Sequence, residues 1–233
     1  MKVQFIFLLL IISTALVSAQ ESPALHLDAE RQKMNKYESQ MIEEINLVRT
    51  QPQDYIPYVE AYAEEMKDRP EQVKEAEALI TYLESAKALS PLAPLNCLFL
   101  AARDHAAKAA PDGPVSHKGD DGRVSWDRIH TACNEHGIAD PTESGTFAQN
   151  AGNENIGSYS LGSSQGYADN APRTVNIMLL CGGFGRENIF NPNWKYVGAF
   201  SYNENKESFM EQYGVTMYQV TYHWIQSFAA GKK

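Results

Sequence analysis

The chain has 233 residues, 43% of them apolar, and a formal net charge of −9. That length suits one domain of ordinary size with extensions, and the apolar share is enough for a packed core. The acidic balance argues against nucleic acid or an anionic membrane face as the main partner, because both reward surplus lysine and arginine.

Met1 to Ala19 reads as a secretory signal peptide. Lys2 gives a positive start, Phe5 to Ile12 is unbroken apolar sequence too short to span a bilayer comfortably, and Val17-Ser18-Ala19 place small or compact residues at the cleavage positions. An uncleaved anchor is the competing reading. The mature chain, beginning near Gln20, is expected to be secreted or periplasmic and to have no transmembrane helix. Residues 20–36 are polar and read as a leader, with a single domain over 37–230.

Helix signals begin near Tyr37, where Met41, Ile42, Ile45 and Val48 recur at helical spacing until Pro52 ends the run. Tyr55 to Met66 and Glu71 to Leu89 read as two further helices. Leu95 to Ala109 is the most apolar, and its small residues allow close packing. A polar loop, Pro111 to Gly122, leads to a helix over Val124 to Glu135, anchored by Trp126 and Ile129 and capped by Gly137. Ser158 to Asn170, rich in Ser and Gly, is expected to be flexible. Ala171 to Leu180 is a helix with Pro172 in its first turn, and the glycines of Cys181 to Arg186 predict a tight loop. Two strands close the chain, Tyr196 to Phe200 and Val215 to Phe228, the second rich in β-branched and aromatic residues. Helices first and strands last predict an α+β fold, helices packed on a small antiparallel sheet.

Export permits disulfides. The cysteines are Cys97, Cys133 and Cys181, so at most one bridge forms within the chain. The pair is left open, with Cys97, in an apolar helix, read as a buried small hydrophobe.

Two side chains stand out as candidates for chemistry. His117 sits in the Gly/Asp-rich S-H-K-G-D-D-G, the kind of polar segment on which functional groups are mounted. Glu154 sits in N-A-G-N-E-N-I-G. A carboxylate beside an imidazole can orient it, hold its proton, or join it on a divalent metal, and either group can act as a general base. A plain loop role is the competing reading. His105 reads first as a packed helix residue that would join the site only by facing the same cavity. His130, Cys133 and His136 match no structural zinc pattern, and His223 reads as a sheet or surface residue. No serine-nucleophile elbow, His-Glu-x-x-His or phosphate loop is present.

The order of several short segments resembles a known family. I-E-E-I-N-L-V-R-T-Q-P from Ile42, L-A-A-R-D-H-A from Leu100, S-H-K-G-D-D-G from Ser116, E-N-I from Glu154 and R-E-N-I-F-N-P-N-W-K-Y-V-G from Arg186 are similar to the signatures of the CAP superfamily. This is the cysteine-rich secretory, antigen 5, pathogenesis-related-1 domain, here of bacterial type. The resemblance implies an α-β-α sandwich with a cleft over the sheet, lined by two histidines and two acids that can hold zinc or another divalent metal. His117 matches the first histidine and Glu154 the acid of the Glu-Asn-Ile motif, with Asn155 and His105 as further cleft candidates. Gly185 stands where bacterial members carry the second histidine. That leaves His117 and Glu154, fewer than the three protein ligands of an open zinc site, with His105 able to supply a third only if its helix aims it into the cleft. The expectation is a secreted module binding a small molecule, lipid, glycan or protein, with a metal-assisted hydrolase in the same cleft as the alternative.

Overall fold

The last stretch of the chain builds the centre of the molecule. In the computed structural model, which describes residues 24–113, 115–119, 121–135, 152–162, 171–210 and 215–230, strands β4 (Trp194–Met210) and β5 (Val215–Ala230) form one long antiparallel pair. Its register runs from Trp194 opposite Ala230 to Met210 opposite Val215. β3 (Gly152–Gly162) continues the sheet on the far side of β5, with Glu154 opposite Ser227 and Ile156 opposite Ile225. Two short strands, β1 (Ala24–His26) and β2 (Ala93–Pro94), line the other edge of β4. All pairings are antiparallel except that of β2.

Side chains alternate across a strand, so each strand supplies both faces of the sheet. Glu154, Ile156, Ile225, Ser227, Gly198 and Phe200 share one face, and Asn155, Gly157, Trp224, Gln226, Val197 and Ala199 share the other. The first face is covered by α4 (Asn96–Ala109) and α5 (Ser125–Glu135). The second is covered by α1 (Lys36–Thr50) and α6 (Ala171–Cys181), with α2 (Ile56–Glu65), α3 (Pro70–Ser85) and α7 (Gly183–Ile189) packed around them. This is the expected three-layer arrangement. Met41, Ile45, Val48, Leu79 and Leu83 meet Trp224 and Phe228 in one core, while Phe99 and Leu100 meet Phe200 and Ile225 in another. No helix among the described residues is long and apolar enough to cross a membrane.

Residues read as a leader take part in the fold from Ala24 onward. β1 pairs with β4, and Arg31 reaches the fully buried carboxylate of Glu38. Glu38 also closes a capping box with Asn35 and accepts from the Ser201 amide at 2.7 Å, so one carboxylate joins the start of α1 to the sheet.

Four local readings are corrected. Cys97 is not a lone hydrophobe: it is bonded to Cys133, with the two Cα atoms 4.9 Å apart. Ser158 to Gly162 is strand, because β5 supplies a partner for each residue up to Gln219. Cys181 to Arg186 holds the end of α6 and the first turn of α7, separated by Gly182, rather than one loop. The strand read over Tyr196 to Phe200 runs from Trp194 to Met210. The segment Met1–Ala19, read as a signal peptide, together with His136, Gly137 and residues 163–170, lies outside the described residues.

Gly198 sets how closely α4 approaches the sheet. A Cβ there would lie 2.3 Å from the Phe99 nitrogen and 2.6 Å from the Leu98 carbonyl carbon, both backbone atoms that cannot swing aside. Gly198→Ala is therefore expected to destabilise the fold by about 1–3 kcal/mol or more, as overpacking does. Urea unfolding would show a lower midpoint with an unchanged slope; an unchanged midpoint would mean α4 is free to move outward.

Candidate functional site

α4 ends near the loop that carries His117, and two side chains pin that loop. His105, 3% exposed on α4, places Nε2 2.8 Å from the carbonyl oxygen of Ser116. Because a carbonyl only accepts, Nε2 must carry the proton. Arg128, on α5, donates Nη1–H to the carbonyl of Arg123 at 2.7 Å, and reaches the carbonyl of His117 with Nη2 at 3.3 Å. Within the loop, Gly122 adopts φ +80, a left-handed conformation that suits glycine, and its N–H donates to the Gly119 carbonyl. Asp121 accepts from both the backbone and side chain of Arg123, which holds its carboxyl down to about 2.

Thus held, His117 faces Glu154. The imidazole Nδ1 lies 3.4 Å from Glu154 Oε1, with the His117 side chain 56% exposed and that of Glu154 only 3%. Arg128 completes the group: Nη2 donates to the same Oε1 at 2.5 Å, inside the protein. Glu154 Oε1 accepts from the guanidinium; with His117 Nδ1 as the donor toward the same oxygen, Nε2 of the neutral ring remains as an acceptor. The arrangement is a buried Arg128–Glu154 pair backing a half-exposed imidazole. The ring of Phe184, itself 54% exposed at the start of α7, meets the His117 ring edge to face at 5.7 Å between centroids.

The candidates separate as follows. His117 and Glu154 come together. His105 holds the loop backbone and is a positioning residue. Asn155 does not join them: as the next residue along β3 it points to the opposite face, 1% exposed. There its amide donates to Gln226 at 3.0 Å, and its oxygen accepts from Asn188 at 2.7 Å. His223, on β5, stacks on Tyr202 and lies 3.3 Å from a Glu204 oxygen, away from this group. Cys133 is taken by the disulfide. Arg128 was not picked out from the sequence, although the signal was there. Ser125, Arg128, Ile129, Ala132 and Cys133 form the buried stripe of α5, and an arginine on such a stripe needs a buried partner.

A divalent metal does not fit these residues. Arg128 places its positive charge on the oxygen that a cation would share with His117. Gly185 cannot be replaced by a ligand without moving backbone, since a Cβ there would lie 2.2 Å from the Leu179 carbonyl oxygen. Among the described residues, no group of three or more His, Cys, Asp or Glu side chains is placed to hold an ion.

A three-layer α-β-α domain with a histidine and a carboxylate at its sheet edge defines a class, and comparison with known proteins identifies it. The model of the CAP, cysteine-rich secretory protein family matches residues 25–228, so the chain belongs to that family. Among solved structures, it is similar to an outer surface protein of Borrelia burgdorferi, at 15% identity and TM-score 0.38, covering 70% of this chain and 95% of that one. It is also similar to a cysteine-rich secretory protein of Staphylococcus aureus, at 13% identity and TM-score 0.33, covering 69% of this chain and 38% of that longer one. Comparison with curated proteins gave no match.

Proposed function

We propose that this CAP-family chain is an exported binding module whose ligand contacts the imidazole of His117, with Glu154 and Arg128 fixing that ring from behind. One observation carries the reading: the half-exposed ring has Nδ1 3.4 Å from a buried carboxylate oxygen that is itself paired with Arg128. Such a ring presents a hydrogen-bond acceptor to an incoming ligand at little ordering cost. The exposed Phe184 beside it adds an apolar contact surface, which suits a lipid, a glycan or a protein side chain. Export is supported by the apolar segment ending in Val17-Ser18-Ala19. The metal-assisted hydrolase is the weaker reading, because no donor set among the described residues fits an ion.

The test presents wild type and His117→Ala with lipid vesicles and with a glycan array. A probe retained by wild type is expected to bind His117→Ala at least about tenfold more weakly. Equal retention of every bound probe would remove His117 from the site. Zinc in excess is expected to leave the melting temperature unchanged, since only a ligand of the folded state raises it. A zinc-dependent rise that is lost in His117→Ala would return the hydrolase reading to first place.

A further inference from the structure

A groove of about 390 Å³ shares no residue with the His117 group. It lies between Asp28, Arg31 and Asn35 of the N-terminal segment, Tyr37 at the start of α1, residues 201–203 of β4, and Tyr222 of β5. Asn203 and Tyr222 are cross-strand partners, and alternation along β4 and β5 puts them on the face that does not carry Glu154. The volume falls within the range of ligand sites, roughly 300–1,000 Å³.

The lining argues against three classes of ligand. No aliphatic side chain is among the described lining residues, so an acyl chain would meet no matching wall. Arg31, the one cation there, is engaged by both oxygens of Glu38 and stands 3.9 Å from Asp28, so an anion would find no unpaired positive charge. Asp28 is a single carboxylate, too few for a metal ion. What remains is a set of polar groups beside aromatic rings. Asn35 caps α1 with Oδ1, which accepts from the Glu38 amide at 2.9 Å, and its Nδ2 has no acceptor among the described residues. Asn203 makes no side-chain hydrogen bond among them, and its Oδ1 is covered without a donor. An orphaned carboxamide in a groove wall costs stability in the free protein and calls for a partner. The exposed Asp28 carboxylate only accepts. Tyr222 is buried; burial, with Tyr37 nearby, holds its phenol above the ordinary value. A tyrosine ring offers an apolar face and a polar tip.

We infer that this groove is a binding site for a neutral disaccharide, with the amides of Asn35 and Asn203 donating to its hydroxyl oxygens, Asp28 accepting from its hydroxyl groups, and Tyr37 packing on its C–H face. A sugar hydroxyl both donates and accepts, so adjacent hydroxyls satisfy a carboxamide and a carboxylate together. Neither His117 nor Glu154 takes part, so this proposal and the His117 reading fail independently.

Titration of the full-length mature chain with cellobiose, chitobiose and maltose, followed by amide NMR, tests it. At least one sugar is expected to give saturable shifts at the side-chain amides of Asn35 and Asn203, with Kd of about 1 mM. Asn203→Ala should weaken that binding at least about fivefold, the loss of one hydrogen bond, while the melting temperature stays the same or rises, because the removed oxygen had no donor. Should Asn203→Ala melt lower, Asp28→Ala decides, since its side chain is exposed: weakened binding there supports the site, and unchanged binding sinks it. His117→Ala should bind the sugar as wild type does. No saturable shift with any of the three sugars, or shifts confined to residues outside the groove, would overturn the proposal. So would inorganic phosphate shifting the same two amides as strongly, which would make the groove an anion site.

Discussion

Arg128→Ala is expected to lower folding stability by about 3–5 kcal/mol, because it leaves the Glu154 carboxylate buried without its counter-charge. Both side chains are almost fully covered, and the guanidinium also satisfies the carbonyls of Arg123 and His117, so one substitution strands an anion and releases the loop. The diagnostic comparison is with Arg128→Met combined with Glu154→Gln, which removes both charges. Replacing a whole buried pair with neutral groups is often close to neutral, so the double variant should recover much of the loss. Urea unfolding of the three proteins measures this directly. A loss of less than about 1 kcal/mol in Arg128→Ala, the range of exposed pairs, would mean that water reaches Glu154 and that the ion pair does not organise the site.

Removing the disulfide, by Cys97→Ser with Cys133→Ser, is expected to cost about 4 kcal/mol. The bridge closes a loop with a sequence separation of 36, and the chain-entropy estimate for a loop of that size is near this value. The loss should reach the site as well, because Cys133 and Arg128 lie on the same short helix. Ligand binding at His117 should weaken together with the melting temperature. Both cysteines are fully buried, so reductant should act slowly on the native protein and quickly once it unfolds. The third thiol, Cys181, is pushed up to about 12, chiefly by burial, and offers little thiolate for exchange. An unchanged midpoint in the double serine variant would show that packing alone holds α5 in place.

The sequence carried the layers and the central pair well, for physical reasons that can be named. The helical stripes of α1 and α4 and the aromatic, β-branched run of β5 are patterns of burial, and burial is what periodicity reports. The convergence of His117 and Glu154 was legible from the order of short motifs rather than from any local pattern. Asn155 was misplaced because Glu-Asn-Ile was treated as a unit, whereas a strand sends neighbours to opposite faces. The glycines at 182, 183 and 185 suggested a loop, yet Gly185 is required where a helical turn presses against the Leu179 carbonyl, a contact between segments that sequence does not display. The Cys97 pairing was hidden for the same reason. The polar run of β4 over residues 201–208 has weak strand propensity, and it is extended because β5 lies alongside to complete its hydrogen bonds.

The position of β4 and β5 in the chain has a consequence for biosynthesis. Residues 36–135 supply five α-helices, of which α1, α4 and α5 rest their apolar faces on strands drawn from residues 152–230. While the polypeptide grows on the ribosome, at about 5–20 residues per second, those faces have nothing to cover them for several seconds after α4 has emerged. Stable tertiary structure must await translation of the segment around Ala230, so the nascent protein should remain an open, protease-sensitive substrate until then.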